Sequence, residues 1–114
     1  MLVIERGTTQ EIKITIKGWD LSVCSNVRVT FKQDTGAFLT RNTFTSIEFA
    51  NNSSVIKLEL SQRETLMFKG NRTGKVQVRW LDANGKARKT KTAEFTADEC
   101  LDDAILEGAA VDNG

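Results

Sequence analysis

Four stretches of this chain alternate apolar and polar residues, and that alternation limits the fold more than any other feature. In QEIKITIK, Ile12, Ile14 and Ile16 share one parity, while Lys13, Thr15 and Lys17 share the other. NVRVTFKQ repeats the pattern with Val27, Val29 and Phe31. SVIKLELS does so with Ile56, Leu58 and Leu60, and KVQVRWL with Val76, Val78 and Trp80. Successive side chains of a strand point to opposite faces, so a period of two means one dry and one wet face. A wet face on every strand argues for antiparallel sheets rather than a parallel sheet covered by helices.

Turn chemistry separates the runs. QDTGAF and LDANGKA each place Gly just after short polar residues, which suits a type I turn closed by a left-handed Gly. FANNSSV is a third turn, built from Asn and Ser. Strands are expected over residues 37–41 and 43–50, with Phe44 out of phase with Ile47 and Phe49 and hence a bulge or irregular entry there. SQRETLMFKGN breaks the rhythm: Ser61 stands three residues before Glu64, the reciprocal capping pattern that opens a helix. That short helix should pin Leu66 and Phe68 into the core and stop at Gly70. The reading is an all-β, immunoglobulin-like antiparallel β-sandwich of about seven strands with one short helical bridge, and a small barrel as the alternative. Residues 1–97 form the sandwich. Residues 98–114 form a carboxy-terminal segment, with a short helix over 98–106 capped by Asp98 and then a flexible tail.

A chain of 114 residues can bury a core without disulfide or metal staples. The formal net charge of +1 gives no general attraction to polyanions or acidic membranes. The apolar run at the amino terminus ends after Ile4, too short for a signal-peptide core, and nothing approaches a membrane span. Synthesis and folding in a cytosol are expected, with Cys24 and Cys100 as free thiols. The chain has no His and no Tyr, so acid–base work would fall to carboxylates, Lys or Cys. Asp98, Glu99, Asp102 and Asp103 cluster without the Gly-punctuated spacing of a calcium loop, and neither cysteine has an adjacent base. We expect no enzyme, no cofactor and no metal site.

Lys86, Arg88, Lys89 and Lys91 are the candidates for phosphate contact. Their parity is split and no aromatic residue is interleaved among them, so a charged sheet edge is favoured over nucleic-acid binding. Trp80 reads as core. Trp19, at a strand end, reads as a cap on the sandwich, with partner contact as the alternative.

Three stretches then carry a resemblance: IERGTTQEIKITI, DLSVCSNVRVTFKQ and IKLELSQRETLMFKGNRTGKVQVRWLDANGK, in that order over residues 3–95. Together they resemble small phage and prophage tail proteins related to the amino-terminal domain of phage baseplate upper proteins. The shared motifs are turns, caps and strand parity rather than reacting groups. The resemblance implies an immunoglobulin-like building block of a phage tail or baseplate, located in the virion and made in the host bacterial cytoplasm. Its partners would be other tail proteins and further copies of itself. The chain stops where baseplate upper proteins continue, so their adaptor duties are not carried over. Candidate partner contacts are Trp19, Phe38, Leu101, Ile105 and Leu106. The alternative function is a glycan- or host-surface-binding module in which Trp19 or Phe38 stacks on sugar rings.

Overall fold

The computed structural model describes residues 1–108. Among these residues nine strands form in chain order: β1 (Leu2–Ile4), β2 (Gln10–Lys17), β3 (Ser25–Gln33), β4 (Phe38–Arg41), β5 (Ser46–Ala50), β6 (Ser53–Leu60), β7 (Arg72–Leu81), β8 (Ala87–Lys89) and β9 (Ala93–Ala97). A 3-10 turn occupies Leu21–Val23, and one helix, α1 (Gln62–Leu66), bridges β6 to β7. One sheet runs β1-β9-β7-β3-β4, with β8 also on β7, and the other runs β2-β6-β5. The immunoglobulin-like sandwich expected from the alternation is therefore the fold, with the three-stranded sheet opposing the larger one.

Two details differ from the expected antiparallel set of about seven strands. Strands β1 and β8 are three-residue additions too short to show a period, and β1 pairs with β9 in parallel, Leu2 opposite Phe95 and Ile4 opposite Ala97. The four alternating runs otherwise pair as their parity requires. Ile12 faces Leu58, Ile14 faces Ile56, and Val29 and Phe31 face Val78 and Val76. Their side chains meet between the sheets, where Val29, Phe31, Ile56, Leu58 and Leu60 are fully buried. Phe31, Phe68 and Phe95 add three edge-to-face contacts, with centroids 5.4 to 6.2 Å apart.

Local chemistry closes the elements. Asn51 and Asn52 both adopt left-handed backbone (φ 52° and 59°), giving the two-residue β5–β6 hairpin its mirror-image turn. Gly36 and Gly85 (φ 96° and 76°) close the β3–β4 and β7–β8 turns. At α1, the Ser61 hydroxyl accepts from the Glu64 N–H at 3.1 Å, and the Glu64 carboxylate accepts from the Ser61 N–H at 3.0 Å. Glu64 also takes Arg41 of β4 at 2.8 Å, so one largely buried carboxylate ties the helix to the larger sheet.

Three local expectations are corrected. The helix ends at Leu66, and Gly70 does not cap it; a Cβ there would lie 2.8 Å from the Asp98 carbonyl, so Gly70 admits the chain after β9. The strand expected from residue 43 begins only at Ser46; Phe44 lies before it, half-buried on the core in the irregular entry anticipated there, while a bulge forms in β3 between Ser25 and Arg28, where Asn26 takes φ 52°. No helix forms over residues 98–106. The Asp98 carboxylate accepts from Arg6 N–H at 2.9 Å, and Asp102 turns its carboxylate onto the Ala104 N–H at 3.0 Å. Such short acidic side chains compete with helical hydrogen bonds. Leu106 exchanges both backbone bonds with the Gln62 side-chain amide, at 2.8 and 3.2 Å. The expected flexible tail lies largely outside the described residues.

Candidate interaction surfaces

The segment after β9 leaves the sheet at Ala97, opposite Arg72, the first residue of β7. Asp98 bonds to Ile4 and Arg6, and the Leu106–Gln62 exchange holds the far end. Between these two ties the chain turns its apolar side chains outward. Leu101 is 95 % exposed and Leu106 64 %, while Ile105 is half-buried. Three of the five candidate partner contacts thus share one end of the sandwich. Met67, 44 % exposed, belongs to the same end through α1.

The other two candidates are elsewhere. Phe38 is exposed on the outer face of β4, opposite Lys32. Trp19 is half-buried and acts as the cap anticipated for it. Its ring meets Trp80 edge to face at 5.4 Å, and the Arg88 guanidinium lies 5.4 Å over it. That guanidinium already covers one face of the Trp19 ring.

The basic hairpin separates as its parity implied. Arg88, opposite Trp80, is bound to Asp82 at 3.0 Å. Lys89 stands opposite Arg79 on the outer face, and Lys86 and Lys91 are exposed in the flanking loops. Asp82 organises this corner. Its carboxyl is held below the usual carboxylate range by the Lys86 N–H, then by the Arg88 side chain and the Asn84 N–H, while burial acts the other way. A depressed carboxyl contributes stability above its unfolded value of about 3.9, and that contribution is lost as pH falls through the lower folded value. Melting temperature should therefore fall more steeply with acidification in the native protein than in Asp82→Asn. Parallel curves would show that this corner carries no linkage.

Register also assembles a surface that the linear sequence hides. On the outer face of the larger sheet, Arg28 lies opposite Arg79, and Arg79 opposite Lys89, while Lys32 lies opposite Lys75. All five are exposed. Like charges directly across strands destabilise a sheet. Next to Arg28 and Arg79, beside the β3 bulge, opens a cleft of about 820 Å³. Leu21, Phe44, Ile47, Trp80 and Leu81 supply its apolar lining, and Arg28, Arg79 and Asn42 its polar groups. The only signal in the sequence was one or two cations on the wet parity of each strand.

Reacting groups are sparse here. Burial pushes the Cys24 thiol up, reinforced by Asp82 and Asp20, so this thiol at the cleft stays protonated at neutral pH. Cys24 and Cys100 are both free. Among the described residues no group of three or more His, Cys, Asp or Glu is placed to hold a metal ion. No helix among them is long and apolar enough to cross a membrane. Compared with known proteins, the chain matches no family model and no curated sequence.

Proposed function

We propose that the protein is a non-enzymatic structural component of a phage or prophage tail or baseplate, acting through protein–protein contacts. The observation that carries this reading is the carboxy-terminal segment. It is fastened to the sandwich at Asp98 and Leu106, yet holds Leu101 almost wholly in solvent. A fixed backbone presenting an unburied leucine supports a docking element, because ordering the segment costs entropy that its few contacts with its own domain repay poorly. The resemblance over residues 3–95, which is one of strand parity, caps and turns, supplies the setting. The crowding of basic groups on one sheet face and acidic groups in the segment further supports specific partners, since complementary charge fixes register and partner choice.

The reading is tested by inducing the source bacterium, purifying tail particles and identifying their proteins by mass spectrometry. The protein should be present in fixed ratio to the other tail proteins after a high-salt wash. Its absence from washed particles would refute the structural role.

A further inference from the structure

We infer that the protein assembles head to tail, the acidic carboxy-terminal segment of one copy seating in the cleft beside Arg28 and Arg79 of the next. This inference rests on the structural-component reading and names the surfaces it would use.

Reach decides whose segment fills the cleft. The segment leaves beside Arg72, whereas the cleft is lined by Arg79, Trp80 and Leu81 at the far end of the same strand. Nine residue steps along β7 separate the two by about 30 Å. From Ala97 to Leu101 the chain spans at most about 14 Å, and Leu106 is tied back to Gln62. Leu101 therefore cannot enter its own cleft. A second copy can supply it.

Chemistry then matches the two ends. Leu101 needs an apolar receptor, and the cleft offers the half-buried Phe44, Ile47 and Leu81. Asp98, Glu99, Asp102 and Asp103 flank Leu101 with carboxylates, and the cleft carries the Arg28–Arg79 pair with Lys89 beside it. None of these three cations has a carboxylate within ion-pair distance among the described residues. Carboxylates arriving from the next copy offset a repulsion that the isolated domain retains. Because donor and receptor surfaces differ, the contact is heterologous and repeats into a ring or a fibre.

Two variants test this, Leu101→Asp in the segment and Arg79→Glu in the cleft, both at exposed positions. By sedimentation velocity the native protein should associate in a concentration-dependent series with Kd at or below about 100 μM. Each variant alone should associate at least about tenfold more weakly. Their equimolar mixture should form a one-to-one complex and stop there, since one functional segment and one functional cleft remain. Arg79→Glu should melt at or above the native temperature, because it removes repulsion. A native protein that stays monomeric, variants that associate as the native does, or a mixture without the capped pair would overturn the inference. A monomeric protein found in washed particles sinks this contact and leaves the structural role. A self-assembling protein absent from particles does the reverse.

Discussion

Replacing Trp80 with Ala is expected to cost the fold about 3–5 kcal/mol, the range for emptying a large aromatic site. Trp80 lies on β7, which is paired on both sides, and is 3 % exposed. It also supports Trp19 edge to face, and Trp19 in turn carries Arg88, so its loss loosens the whole corner closed by Asp82. Against a typical stability of about 5–15 kcal/mol, much of the margin disappears. Trp80→Phe should lose far less. It keeps an aromatic body and removes an indole N–H that is buried without an acceptor among the described residues, a defect worth about 1–3 kcal/mol. Denaturant unfolding of both variants checks the ordering. An Ala variant as stable as the native protein would place Trp80 outside the core.

Gly74→Ala is expected to destabilise by about 3 kcal/mol, the upper range for forcing atoms into a filled core. In most strands this change stabilises, because Gly spends more entropy on ordering. Here a Cβ would lie 2.6 Å from the Phe95 ring and 2.6 Å from the Lys32 carbonyl. Phe95 pairs directly across from Gly74 and is fully buried, so its ring occupies the space a side chain would need. Shrinking the ring should make room: Gly74→Ala combined with Phe95→Leu should cost less than the two changes added separately. Additive losses in a double-mutant cycle would mean that the clash is relieved elsewhere.

How far these features were visible in the amino-acid sequence depended on their range. Ile12, Val29, Leu58 and Val78 announced their strands because burial on one face imposes a period of two that any reader of the chain can see. Ser61 and Glu64 announced α1 because a capping box is complete within four residues. Gly36, Gly85 and the Asn51–Asn52 pair marked turns for the same local reason. Strand β1 was not legible, since its parallel partner β9 is more than ninety residues away and three residues show no period. The helix expected over 98–106 failed because the apolar spacing of Leu101, Ile105 and Leu106 looks helical. Yet Asp98 is drawn across to the Arg6 N–H, Asp102 holds a turn at the Ala104 N–H, and Gln62 captures Leu106. The site was half legible. Leu101, Ile105 and Leu106 could be picked out as apolar residues beyond the last strand. The cleft could not, because only the pairing of Arg28 with Arg79 and the packing of Phe44 and Ile47 bring it together.

The central claim is that the carboxy-terminal segment serves assembly more than folding. Sedimentation equilibrium of the intact protein beside a form lacking residues 101–114, with melting recorded on both, tests it most directly. Deletion removes the two bonds between the Gln62 amide and Leu106, a net loss of about 1–3 kcal/mol for the pair. The account predicts a shortened protein that still unfolds cooperatively at a moderately lower temperature and is monomeric where the intact protein associates. A shortened protein that associates as strongly as the intact one, or one that no longer folds, would contradict it.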